Sequence, residues 1–568
     1  MILKALYDYY HRCDDMPQLG RELKEIDFLI ILTEEGKFVR IEDCRIDNKR
    51  SQSFLVCKSV KRTSGEKANC LFDKFDYIAG YPKSEQTGKR LAKFKEKTDS
   101  MHQLLPLDKE IAAVSLFYEQ DSDAIIDTFK RDPLWDEILG KKGANNDYYF
   151  SFRIEGNTSI VAAKDELVYA LNKENDTKEE DICLITGNKT TPVKLTTATS
   201  IPGSQAVATL VAFQTNSGYD SYNKTQCANA PISAEAEFAY TTALKKLLAK
   251  DSRNKFYVGN RTFVFWTSSS SEASKRAEKE LSSILTFAGA DDETDDPNAG
   301  ITQVRKTFEA IYKGELKTKL DDRFYILGLA PNAARLSIVF WQDTLLKDFA
   351  EKILRHINDM TIEDTRKEKK PYMGLMNILS AVTQSHKASD ATPNLPEATA
   401  KSIFEGIPYP FPLYTACLRR ILAEQELTIT RIAILKAYLI RKKYLNSKNS
   451  IMLDKENTNQ GYLLGRLFAA LVKIQEDANG IDSLRERYMN AASTTPAAVF
   501  ATVMNLSVHH SDKLDTGKQI YYEKLKQEII NKLPAGCVPA HFSLQDQGCF
   551  FIGYYHQRQD FFKSKNDE

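Results

Sequence analysis

The stretch Lys61-Arg62-Thr63-Ser64-Gly65-Glu66-Lys67-Ala68-Asn69 gathers three cations, two hydroxyls and an amide around Gly65. Arg can pair with guanine edges and Asn with adenine, whereas Lys chiefly meets phosphates, so this set suits the groove of a nucleic acid. Taken alone, the signal is weak and a solvated basic loop describes it better. A second stretch, Phe213-Gln214-Thr215-Asn216-Ser217-Gly218-Tyr219-Asp220-Ser221-Tyr222-Asn223-Lys224, joins amides, hydroxyls and aromatic rings to one cation. That palette serves groove contacts or base stacking, and also an ordinary turn with buried tyrosines. A third zone, residues 419–448, holds eight Lys/Arg against Glu424 and Glu426. Ile432, Leu435 and Leu439 would form the apolar face of its helix and the cations a charged one.

Bond-breaking chemistry needs constellations that are missing. Neither Gly-x4-Gly-Lys-Ser/Thr nor Gly-x-Gly-x-x-Gly occurs, which argues against nucleotide hydrolysis. The eight histidines include no His-Glu-x-x-His, and the one adjacent pair, His509-His510, is a poor chelate because neighbours on a helix point about 100° apart. A polar helix end is its expected role. No Gly-x-Ser-x-Gly elbow favours a serine triad. The nine cysteines are scattered without zinc-hook spacing and are expected to be reduced, mostly buried residues of a cytosolic protein.

The elements that would position these loops follow from periodicity. At 568 residues the chain has room for three or four folding units of about 150 residues each. Its 78 Lys+Arg against 77 Asp+Glu exclude a protein that grips polyanions with its whole surface, so any nucleic-acid site must be local. Residues 49–97 form such a local basic island, with 13 Lys/Arg against five acids. Alternation predicts a hairpin over 26–46 and strands at 54–57, 148–154, 182–185, 207–213, 255–258 and 261–266, with a second hairpin pairing 324–329 with 335–341. Helices are predicted over 107–130, 233–249 and 272–287, and again over 429–445, 461–474, 496–506, 520–533 and 544–562. The class is therefore α+β: a mixed α/β N-terminal region with antiparallel hairpins (1–345), a helical connector with polar breaks (346–400), and an all-α C-terminal bundle (401–568). The apolar runs, Phe28 to Leu32 among them, fall short of the ~20 residues that span a bilayer. Met1 to Asp14 has no signal-peptide core, so a cytoplasmic location is expected.

Several segments stand in a fixed order along the chain: the opening Met1-Ile2-Leu3-Lys4-Ala5-Leu6-Tyr7-Asp8-Tyr9-Tyr10, the basic loop at Lys61, Ile182 to Gly187, Asn229-Ala230-Pro231 with Tyr240 to Leu244, and Phe324 to Asn332. In the rear they are Asn459 to Phe468, Ala492 to Pro496, His509-His510 with Lys513-Leu514, and Gly553-Tyr554-Tyr555-His556-Gln557. Together they resemble the large subunit of type I-C CRISPR surveillance complexes (Cascade), the Csd family, over nearly the whole chain. The resemblance implies a subunit of a prokaryotic ribonucleoprotein containing CRISPR RNA, backbone subunits, a guide-end subunit and small subunits. Such a subunit checks the protospacer-adjacent motif on double-stranded target DNA, helps open the duplex into an R-loop, and recruits a separate helicase-nuclease. It implies no catalytic residue, metal, cofactor or membrane.

On that reading Lys61, Arg62 and Lys67 hold phosphates, Asn69 and Asn216 read or wedge near base edges, and Ser64, Ser217 and Tyr222 face the duplex. Lys49, Arg50, Lys224, Arg431, Lys436, Arg441 and Lys442 follow the DNA backbone. This chain has Thr196 where the family usually shows histidine and Asn223 where glycine is typical; Asn tolerates positive φ, so the turn can survive. The family's rear helices are also made separately from an internal start, for which Met452 is a candidate here. Two other readings are an RNA-processing or DNA-cutting nuclease with a dispersed site, and a scaffold that leaves DNA inspection to another subunit.

Overall fold

The run Phe28-Leu29-Ile30-Ile31-Leu32 is apolar at every position rather than at alternate ones, the pattern of a strand covered on both faces. All five residues are buried in the computed structural model. The structure describes residues 2–47, 50–60, 62, 65–139, 147–173, 181–215, 218, 222–286, 299–365, 371–446, 450–534 and 538–562. The chain falls into two units, one of Cys13–Thr197 with Ala212–Ala243, the other of Met1–Arg12, Ala198–Val211 and Leu244–Glu568. These units do not follow a boundary at 345–400. The class is α+β.

The first unit contains β1 (Arg21–Ile26), β2 (Phe28–Leu32), β3 (Phe38–Asp43), β4 (Arg45–Asp47), β5 (Arg50–Cys57), β6 (Phe72–Lys74), β7 (Tyr149–Ile154), β8 (Asp181–Ile182) and β9 (Lys189–Thr190). The order β3-β2-β7-β6 forms one sheet and β1-β5-β4 another, with β8-β9 a two-stranded ribbon. The expected first hairpin is β2-β3, turned at Gly36, whose φ is +74° and where a Cβ would stand 2.6 Å from the Ala113 carbonyl. β2 also pairs in parallel with β7, a partner well over a hundred residues away that local alternation cannot announce. Helix Glu85–Leu104 begins with a capping box between Ser84 and Thr87 and presents Leu91, Phe94 and Met101 to this core. Phe94 lies 6.1 Å from the Phe152 ring of β7.

In the second unit β10 (Lys255–Val258), β11 (Arg261–Thr267), β12 (Arg323–Asn332) and β13 (Arg335–Leu345) form an antiparallel meander, in which the four strands and the β12-β13 hairpin are as the sequence predicts. β13 runs straight into helix Leu346–Met360, and Phe349 of that helix stacks on Phe324 of β12 with ring centroids 4.1 Å apart. Sheet and following helices share one apolar core that runs through to Tyr555. The opening helix Ile2–Arg12 belongs here too, with Tyr9 beside Trp266 and Arg12 donating to Thr267 Oγ1 at 2.8 Å.

Helices Gln460–Asn479 and Leu544–Phe561, the 460 and 544 helices, cross with their backbones in contact, because Gly461, Gly465 and Gly553 remove the side chains that would separate them. Two expected strands shrink. Of 182–185 only Ile182 is in a strand, Asp181–Ile182, since Gly187 N–H turns back to the Cys183 carbonyl at 2.8 Å. Segment 207–213 makes a single bridge, Thr209 to Arg335, and leaves Val207 exposed.

Candidate nucleic-acid interface

The basic loop leaves β5 at Cys57 and re-enters β6 at Phe72. Its anchor is Asp73, wholly buried, which accepts the Asn69 backbone N–H at 2.8 Å and pairs with the Arg62 guanidinium. Burial raises the Asp73 pKa, and Arg62 opposes that rise by favouring the carboxylate. Arg62 also donates from Nε to the Lys67 carbonyl at 2.8 Å and lies 4.1 Å over the Tyr77 ring. Asn69 is buried, and its side-chain oxygen accepts Val60 N–H at 2.9 Å. Asn69, expected to meet a base edge, is thus an internal fastener of the loop, whereas Arg62 holds Asp73 while itself remaining exposed. The sequence does not announce this, because the Asn69 side chain is taken by the Val60 N–H and Asp73 reaches the Asn69 backbone and Arg62 only once the loop has closed.

A second tier of fasteners lies behind the first. Tyr77 donates to Glu66 at 2.6 Å, and Arg90 Nε reaches the same carboxylate at 3.0 Å while its other arm pairs with Asp76. The Tyr77 hydrogen bond, then that of Arg90, draws the Glu66 pKa down to about 2. These groups, with Arg62 and Gly65, wall a cavity of about 420 Å³. Lys67 points outward and is exposed. Lys61 and Ser64 lie outside the described residues, as does Lys49. Arg50 is exposed at the start of β5.

In the second loop Asn216 and Ser217 lie outside the described residues. Tyr222 is 96% exposed, and it and Asn223 both take left-handed backbone, φ 51° and 60°. Asn223 therefore keeps the turn that glycine would make. Lys224 pairs with Asp181 at 2.8 Å, tying the loop to β8 and lowering the Asp181 pKa. Asn229 Nδ2 holds the chain behind it, donating to the carbonyls of Lys224 and Gln226 at 3.1 and 3.0 Å. Thr196 is buried.

The third cationic zone is corrected by the fold. Arg431, Lys436 and Arg441 sit on helix Ile429–Arg441, which is buried on nearly every side rather than amphipathic. Arg431 donates to the carbonyls of Ala381 and Glu426 at 3.0 and 3.1 Å and pairs with Glu424. Arg441 reaches Asp359 at 2.7 Å and the Ser402 and Ile407 carbonyls at 2.6 and 2.7 Å, and stacks on Tyr409. Lys436 has 0% exposure, no hydrogen-bond partner for Nζ, and a pKa lowered by desolvation to about 8. None of the three reaches a surface where DNA could lie; Lys442, at the end of that helix, is exposed.

His509 and His510 occupy the last turn of helix Pro496–Ser511, His510 with a pKa lowered first by burial and then by Lys513. The described cysteines are all free, and all but Cys13 are buried; Cys537 lies outside the described residues. No described helix is long and apolar enough to cross a membrane.

A family model described as CRISPR-associated protein (Cas_Csd1) matches residues 6–562, nearly the whole chain. No curated protein matches it.

Proposed function

We propose that this chain, which belongs to the CRISPR-associated Csd1 family, is the large subunit of a type I-C RNA-guided surveillance complex that checks the protospacer-adjacent motif on duplex DNA. The observation that carries this reading is the division of labour within one unit: Arg62 and Asn69 fasten a loop whose Lys67 faces outward, while Tyr222 stands 96% exposed beside Lys224 on the other loop. Lys61, Lys67, Arg50, Lys224 and Lys442 would hold phosphates. Asn216, with Ser64 and Ser217, would meet base edges, and Tyr222 would offer a stacking face. Guide pairing would read the long sequence, leaving the protein a short motif and the duplex shape, a division seen in another effector class. The chain would assist R-loop formation alongside CRISPR RNA and its partner subunits, recruit a separate helicase-nuclease, and cut nothing itself.

The test is target binding by the assembled complex across motif variants and salt concentrations. Tyr222→Ala should weaken binding by about 1–3 kcal/mol without lowering the melting temperature. Lys67→Ala should weaken all motifs alike and reduce the salt slope by about 1, whereas Asn216→Ala should cost about 1–3 kcal/mol on particular motifs only. Wild-type behaviour by all three variants would refute the interface. Cleavage of labelled guide precursor or duplex by the pure protein, with or without divalent metal, would refute the non-catalytic role. Crosslinking of the motif base pairs to another subunit alone would make this chain a scaffold.

A further inference from the structure

A cavity of about 620 Å³ opens at the root of the basic loop, where Lys58, Ser59 and Val60 leave β5. Every residue that walls it belongs to the first unit. The walls grade from buried to exposed, which gives the cavity a floor and a mouth: Cys57, Cys70 and Glu237 are buried, whereas Leu19, Lys194 and Leu195 are exposed. Lys97, partly buried, stands between them. A pocket of this size with a closed floor takes a small molecule or the end of a chain, not a strand passing through.

Three lysines from distant parts of the sequence converge on this space: Lys58 from the loop root, Lys97 from helix Glu85–Leu104 and Lys194 from the segment after β9. The one carboxylate in the wall is Glu237, on the first turn of helix Ala234–Leu248. It accepts the Thr197 N–H and pairs with Lys58 at 3.2 Å, and Lys58 also lies 5.3 Å over the Phe238 ring. Lys97 and Lys194 make no ion pair among the described residues. Glu22, which accepts the Ser59 hydroxyl, lies outside the wall. Three ammoniums against one carboxylate leave two positive charges around one walled space, an arrangement that repels itself until an anion enters. Helix Ala234–Leu248 adds the positive end of its dipole, since Ala234 opens the helix at the same wall. The remaining large side chains, Leu19, Val60, Leu171, Val193 and Leu195, are apolar and suit the body of a ligand rather than its charge.

We infer that this cavity binds a phosphate monoester of mononucleotide size, its phosphate held by Lys58, Lys97 and Lys194 and its body laid on the apolar wall. A monoester carries about −1.5 to −2 charge at pH 7, which matches the excess of the lysines. The diester inside a strand carries one charge and continues on both sides, which a closed floor forbids. A free nucleoside monophosphate and the phosphorylated end of a nucleic-acid strand offer the same chemistry. Bound there, either ties the loop root to helix Glu85–Leu104 and to the segment around Lys194. The inference does not rest on the DNA-facing role of Lys67 and Tyr222.

Isothermal titration of full-length protein tests it, with adenosine and uridine 5′-monophosphates, their nucleosides, their 3′,5′-cyclic esters and inorganic phosphate as probes. A short thymidine oligonucleotide with a 5′-phosphate or a 5′-hydroxyl completes the set. The monoester should bind about tenfold or more tightly than the matching nucleoside, cyclic ester or 5′-hydroxyl strand. Lys97→Met and Lys194→Met should each weaken that binding about tenfold while leaving the melting temperature of the free protein unchanged. The ligand should raise the melting temperature of the wild type, and of Tyr222→Ala equally, but not of Lys97→Met. A gain from phosphate on mononucleotides identifies a free nucleotide as the ligand, and a gain on the oligonucleotide alone identifies a strand end. The inference is overturned if no monoester outbinds its counterpart, or if neither lysine variant weakens the binding. It is overturned too if inorganic phosphate binds as tightly, leaving the apolar wall no role, or if Tyr222→Ala abolishes the binding and so moves it to the DNA-facing surface.

Discussion

Arginines at 62 and 441 look alike in the sequence, each inside a basic stretch, and each pairs with a buried carboxylate, Asp73 or Asp359, yet only Arg441 is itself buried. Composition locates cations but not their partners, so the loop was legible while the pairing of Arg62 with Asp73 and the burial of Asn69 were not. Lys436 is the extreme case, a buried ammonium whose Nζ has no hydrogen-bond partner. Its folded pKa, about 8, lies below the ordinary 10.5 because desolvation penalises the charged form. Between these values the unfolded chain binds the proton more tightly, so stability contributed by this residue rises as pH climbs from about 8 to about 10.5. Below pH 8 the penalty is fully present, about 3 kcal/mol at one pKa unit per 1.36 kcal/mol. Lys436→Met should therefore be more stable than wild type at pH 7 by an amount of that order, and the gap should close by pH 10.5. Chemical denaturation of both proteins across this range measures it; a gap independent of pH would show that the ammonium is not the cause.

The rear segments that carried the resemblance have a mechanical explanation in the helices themselves. A Cβ on Gly465 would stand 2.0 Å from the Phe550 carbonyl oxygen, and one on Gly553 2.1 Å from that of Tyr462. Both clashes are with backbone, which cannot rotate away, so Gly465→Ala should destabilise by about 3 kcal/mol or more as the 460 and 544 helices are forced apart. Gly88, inside helix Glu85–Leu104, has nothing within 4 Å of the same added atom. There Ala should stabilise by about 0.5–1 kcal/mol through helix propensity. Thermal melts of the two variants give opposite signs if the seam is as close as described. Hairpins β2-β3 and β12-β13 and the rear helices were legible because their periodicity is local. Helix Glu85–Leu104 was not, since Leu91, Phe94 and Met101 are its only large buried apolar residues, diluted among charges in what reads as a basic island.

Across the whole molecule the chain interleaves: its opening helix is part of the unit that otherwise begins at Ala198, while most of the intervening sequence builds the other unit. Linear reading expects consecutive regions, because no local pattern reports that Leu6 and Tyr9 are buried in the unit that contains β11. Removing residues 2–12 should cost that unit about 3 kcal/mol or more from the lost core side chains of Ala5, Leu6 and Tyr9. Hydrogen exchange should then quicken in β11 and stay unchanged in β2; equal rates in β11 with and without the helix would make it an ornament. The same interleaving sets a timetable during synthesis. With 255 positions between Arg12 and Thr267, translation at roughly 5–20 residues per second separates the two by about 10–50 s. Throughout that interval the nascent chain carries a bare amphipathic start with its docking strand still unmade, which gives a ribosome-associated chaperone something to hold.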